Sequence, residues 1–112
     1  MRAAEMFLIE AEAKANLGAS DAAQVLFNLV SKRDPSYVLS TKTGAALISD
    51  IHLQRRMELW GEGFRFFDLV RTGQAATKLA SRGFVAGKNE IFPIPYQELE
   101  NTKIVQNPNY IN

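Results

Sequence analysis

Glu58 and Glu62 stand one helical turn apart, and paired carboxylates are the working groups of glycoside hydrolysis. That chemistry needs two carboxyls facing each other across a sugar at about 5 to 10 Å, usually from different elements and not stacked on one helix face. Arg55 and Arg65 lie at the intervals that pair with them, so the charges read as a salt-bridged face and not as a catalytic dyad. His52 is the only histidine, so neither a Ser-His-Asp arrangement with an evident partner nor a multi-histidine metal site assembles, and a surface or helix-packing role is expected. With no cysteine there is no disulfide, thiolate zinc site or cysteine nucleophile in the chain. Gly61, Gly63, Gly73, Gly83 and Gly87 are not followed by the Gly-Lys-Ser/Thr of a phosphate loop and read as turns and close-packing sites. No catalytic residue, cofactor or metal is expected.

Trp60 with Phe64, Phe66 and Phe67 could offer ring faces to a sugar, which binding proteins hold on an apolar platform with a polar rim. Helical spacing instead assigns Trp60 and Phe64 to a core. Tyr37, in a polar loop, and Tyr96 and Tyr110, near the end of the chain, are freer to be exposed, but no specific ligand-binding residue stands out.

The elements that carry these residues are helical. Over 3–17 the apolar positions form two stripes, Ala4, Phe7, Leu8, Ala11 and Ala15 on one and Met6, Ile9, Ala13 and Leu17 on the other, so a helix packed on two sides is expected. It begins without a capping residue and reads as a truncated helix, ending at Gly18. The second stripe needs a neighbour, and two copies of such a fragment would dimerise to cover it. Ser20 is read as the cap of a second helix, on which Ala22, Val25, Leu26, Leu29 and Val30 follow the helical rule and which Pro35 stops. The two make an antiparallel hairpin.

A third helix of about 20 residues follows the polar stretch 34–44. Its stripe of Ala46, Leu53, Met57, Trp60 and Phe64 is expected to face the hairpin. If it runs on through Gly61 and Gly63, then Arg55, Glu58, Glu62 and Arg65 fall within about 80° of arc, in a sector shared with Leu47, Ile51 and Leu59. Together with Asp68 they would form a partly buried structural charge network, and Arg65→Ala would cost about 2 to 4 kcal/mol. A short helix over 74–81 ends at Gly83, the tail turns at 87–89, Pro95 opens a brief turn through Leu99, and 107–109 make another turn. The fold class is therefore all-α: a tetratricopeptide-like hairpin, a long third helix, short helices and an irregular Pro-rich tail that wraps a helical core.

Length and composition agree. One hundred and twelve residues suit one core, so residues 1–112 are expected to form a single helical domain. Thirteen basic and twelve acidic side chains give a net charge of +1, too little to steer the chain toward nucleic acid or anionic lipid.

The segment RRMELWGEGFRFFDLVRTG, 55–73, resembles the signature of the SusD/RagB family, with its Arg-Glu-Leu, Glu-Gly, aromatic-Asp-Leu and closing Arg at this spacing. Two more blocks resemble it in the right order: LIEAEAKANLG and the helix after it, like the family's tetratricopeptide-like hairpin, and IFPIPYQELENTKIVQNPNY, like its ending. The resemblance implies the carboxy-terminal part of a non-catalytic outer-membrane lipoprotein, exposed at the cell surface. Such proteins capture oligosaccharides or glycopeptides and pass them to a TonB-dependent transporter barrel of the SusC-like kind. It further implies that the lipid-modified cysteine and most sugar-stacking aromatics lie upstream, outside this chain. The rival reading is a tetratricopeptide-like scaffold for protein partners, which requires at least about three repeats where one hairpin is visible. A small hydrolase is disfavoured, because no nucleophile-base constellation is present.

Overall fold

The computed structural model describes residues 2–111, and every described element is helical: α1 (Ala3–Asn16), α2 (Ala22–Val30), α3 (Gly44–Glu58), α4 (Phe64–Arg71), α5 (Ala75–Lys78) and α6 (Tyr96–Asn101), with 3-10 turns at Ala80–Arg82 and Pro108–Tyr110. The fold is all-α, as the periodicity requires. Contacts gather the chain into two compact units, one ending at Phe64 and the other starting at Arg65.

In the first unit α1 and α2 form the expected hairpin. Gly18, at φ 72°, makes the reversal possible: its N–H reaches the Ala15 carbonyl at 3.2 Å and the next N–H, of Ala19, reaches Lys14 at 2.9 Å. This paired closure satisfies carbonyls that a helix end otherwise leaves open, in a backbone region that L side chains avoid. The cap of α2 differs from expectation. Asp21 and not Ser20 occupies that position, and its carboxylate turns to Lys14 at 2.6 Å instead of capping the helix amides. Lys14 also holds Glu10 at 2.9 Å, so one ammonium ties the end of α1 to the start of α2.

The core of this unit joins Ala4, Leu8, Ala11 and Ala15 of α1 to Ala22, Val25, Leu26, Leu29 and Val30 of α2 and to Leu47, Ile51 and Leu59. The second stripe of α1 stays exposed, Leu17 by 84%. On α3 the expected inward stripe is wrong by one residue. Ala46, Leu53, Met57 and Trp60 face outward, and the buried line is Leu47, Ile51, Arg55 and Leu59. The error has a physical cause. The true line contains an arginine, which burial ordinarily forbids, but Arg55 (6% exposed) lies 3.7 Å from Glu5 and stacks over the Phe64 ring at 5.4 Å. A paired guanidinium on an apolar stem can sit in a core position that a lone charge cannot.

The third helix is also shorter than expected. It ends at Glu58, and Gly61 and Gly63 adopt φ 80° and 81°, so the chain turns where a continuous helix was expected and resumes as α4. Trp60 falls at that break and is 84% exposed, which corrects its assignment to the core; Phe64 is half-buried against it.

The second unit buries Leu69 and Ala75 and clusters rings around Phe66, with Phe67 at 5.7 Å, Phe84 at 6.4 Å and Phe92 at 6.4 Å. Side-chain amides hold its extended parts. Gln106 accepts from Ile94 N–H at 2.9 Å and donates to the Ile94 carbonyl at 3.0 Å, Asn109 donates to the Gly87 carbonyl, and the Tyr110 hydroxyl donates to Lys88 O at 3.2 Å.

Candidate functional site

The charged residues singled out by spacing are distributed by the glycine turn. Glu58, on the last turn of α3, receives a bidentate guanidinium from Arg33, with Nε to Oε2 at 3.1 Å and Nη2 to Oε1 at 3.0 Å. Arg2 lies 3.6 Å from the same carboxylate, donates to the Glu58 carbonyl at 2.6 Å and pairs with Glu62 at 2.5 Å. Thus Glu58 and Glu62 share a cation from the start of α1, and α2 supplies the second cation through the residues that follow it. Arg55 points instead to Glu5, Asp68 of the second unit pairs with Arg71 at 2.9 Å, and Arg65 is exposed. A ridge of alternating charges along one uninterrupted helix does not form, because α3 stops before it.

The Arg33–Glu58 bond favours the charged form of both its partners. The Arg33 guanidinium holds the Glu58 carboxyl below the usual carboxylate range, although partial burial opposes it, and the same bond raises Arg33. Both carboxylates are salt-bridged. Sharing the Arg2 guanidinium, they lack the opposed placement of an acid and a nucleophile. His52 is a packing residue that joins α3 to α1, its Nε2 lying 3.0 Å from Glu12 Oε1. Among the described residues no group of three or more His, Asp or Glu side chains is placed to hold a metal.

Beside Glu58 a cleft of about 360 Å³ opens between the end of α2, the following turn and α3. Leu29 and Val30 form its floor, Tyr37 and Met57 its sides, and Asp34 and Gln54 its polar rim, with the Arg33–Glu58 pair at one end. Phe27 stacks on the Tyr37 ring at 6.2 Å, and Asp34 accepts from the Ser36 amide at 2.9 Å and hydroxyl at 2.6 Å, which fixes the turn between them. Those bonds lower the Asp34 pKa, while burial, and then the charge of Asp50, raises that of the Tyr37 phenol. In the sequence Tyr37 stands out only as a loop aromatic and Met57 only as part of the stripe expected to face the hairpin, while Gln54 does not stand out. No linear spacing announces a cleft whose sides come from elements about 20 residues apart.

A second hollow, about 390 Å³, lies in the other unit among Phe66, Leu79, Phe84 and Phe92, with Arg82 and Asn89 at its edge. No helix among the described residues is long and apolar enough to cross a membrane.

Comparison with known proteins places this architecture. The chain is 32% identical to SusD-like protein P38 of Formosa agariphila, over 97% of its own length and 24% of that protein. It is similar to a solved "Laminarin binding SusD-like protein" with a TM-score of 0.78 and 51% identity, covering 98% of this chain and 22% of that one. The chain thus spans about a quarter of the length of these relatives. Residues 1–84, which contain both the hairpin and the Arg55–Gly73 signature, match the SusD family profile, and the chain belongs to that family.

Proposed function

We propose that residues 1–112 form one helical domain of a non-catalytic, surface-exposed glycan-binding protein of the outer membrane, which hands oligosaccharides or glycopeptides to a SusC-like TonB-dependent transporter barrel. The observation that carries this reading is family membership across the hairpin and the signature, supported by the 51% identity to a laminarin-binding relative. Family resemblance also supports a lipid anchor and most ligand aromatics in chain outside these residues. The charges at Arg55, Glu58, Glu62, Arg65 and Asp68 then serve structure and not ligand chemistry. Acid-base catalysis is disfavoured by the pairing of both candidate carboxylates with Arg2.

The test is to express the complete reading frame that encodes this chain and measure capture of laminarin and other glycans by cells with and without it. Surface-dependent capture, lost on deletion, is the expected outcome; unchanged capture of every glycan refutes the reading. The 112-residue chain alone should bind oligosaccharides weakly. A dissociation constant in the low micromolar range, about 8 kcal/mol, would place the principal site inside it and contradict the division proposed here.

A further inference from the structure

The cleft beside Glu58 has the properties of a small ligand site that the family reading leaves unused. Its volume of about 360 Å³ lies at the small end of ligand pockets, which run from about 300 to 1,000 Å³. An apolar floor with a few convergent polar groups is the usual composition of such pockets.

The charges narrow the choice of ligand. Arg33 is committed to Glu58, and Arg2 to Glu58 and Glu62, so an anion finds no uncommitted cation there, and the rim carboxylate of Asp34 is an acceptor already bonded by Ser36. What remains is suited to hydroxyl groups. None of the described hydrogen bonds occupies the Gln54 amide or the Tyr37 hydroxyl, and the Asp34 carboxylate is oriented by Ser36 through one oxygen only. The phenol, its pKa raised, stays a donor at neutral pH, and the carboxylate stays an acceptor. Tyr37 supplies a flat apolar side already held by Phe27, so little conformational freedom is lost when something stacks on it.

We propose that this cleft is a subsite for one neutral pyranose ring of an oligosaccharide, its apolar face against Tyr37 and Met57 and its hydroxyls on Gln54 and Asp34. The ligand class rests on the glycan-binding reading above; the geometry rests on the first unit alone. A single ring in an open cleft binds weakly, which agrees with the weak binding expected of the isolated chain.

The experiment is amide-resolved NMR of the 112-residue chain titrated with glucose and with short oligosaccharides cut from laminarin. Saturable shifts confined to residues 29–37 and 54–58, with a dissociation constant on the order of 1 mM, are expected. Tyr37→Ala should weaken binding roughly tenfold, equivalent to about 1.4 kcal/mol. Should Tyr37→Ala disturb the fold by removing the ring from Phe27, Gln54→Ala decides the matter: its amide makes no described internal bond, and a several-fold loss is expected. Absence of saturable shifts, or shifts that neither substitution alters, overturns the proposal. Failure here with intact glycan capture by the complete reading frame would remove this subsite alone, whereas failure of both would remove the reading beneath it.

Discussion

The two compact units solve the same problem by different means. The first closes a core from three helices, with Leu8, Leu26 and Ile51 fully enclosed, and its stability follows from apolar area withdrawn from water. In the second, Leu69 and Ala75 are buried while Phe92 remains 73% exposed, and the backbone is organised by Gln106, Asn107 and Asn109 amides bonded to main-chain groups. Helices satisfy their own backbone and need only an apolar stripe. An irregular Pro-containing tail has no such ladder, so side-chain amides must replace it.

The comparison can be broken most directly at Ile51. Ile51→Ala should destabilise the first unit by about 2 to 5 kcal/mol, because it leaves a cavity in a close-packed interior. Hydrogen exchange resolved by residue would show protection falling across α1, α2 and α3. A loss confined to α3 would mean that the three helices do not share one core.

Gln106→Ala is the matching cut in the second unit. It strips both the donor and the acceptor from Ile94 and should cost about 1 to 3 kcal/mol there, read as faster exchange at Ile94 and its neighbours. An effect equal to that of Ile51→Ala would show that the tail is not the more weakly held region.

Acid should act on the charge cluster first. Glu58 and Asp34 have folded-state pKa values below their ordinary ones, so their contribution is fully present above the ordinary carboxylate range and is lost as pH falls through the lowered folded values. Denaturation midpoints should therefore fall from mildly acidic toward strongly acidic pH, and Glu58→Gln should flatten that slope. An unchanged slope would mean that the Arg33–Glu58 bond contributes nothing in solution.

Arg65→Ala is expected to cost under about 1 kcal/mol, and not the 2 to 4 that a continuous buried ridge implied, because α3 ends at Glu58 and Arg65 is exposed. Chemical denaturation giving more than about 2 kcal/mol would restore the ridge. The smallest effect belongs to Ile9→Lys on the exposed stripe of α1. Stability should change by no more than about 0.5 kcal/mol, while light scattering should show any self-association of the chain reduced. Unchanged association would locate the contact elsewhere.

Much of this was legible in the residues themselves. The all-α class, the hairpin stop at Gly18, the short helix before Gly83 and the tail turns at Pro95 and Asn107 follow from local rules: periodic apolar positions, and residues whose backbone preferences suit particular turns. The Arg55–Gly73 segment carried the family likeness because its residue types and intervals are specific in one dimension. What one dimension does not carry is the choice between two nearly equal faces. On α3 the outward stripe, with Met57 and Trp60, is the more apolar in composition, yet the inward one contains Arg55, whose burial is made tolerable by partners that include Glu5 and the Phe64 ring. Gly61 and Gly63 permit a turn or a helix alike, and the structure has both at positive φ. The partners of Glu58 are Arg2 and Arg33, some 56 and 25 residues away, and the cleft beside it exists because α2 and α3 lie side by side. Local preference follows from neighbours in the chain and was therefore set by the sequence by itself; charge pairing and concavity depend on neighbours in space, and only the tertiary structure decided them.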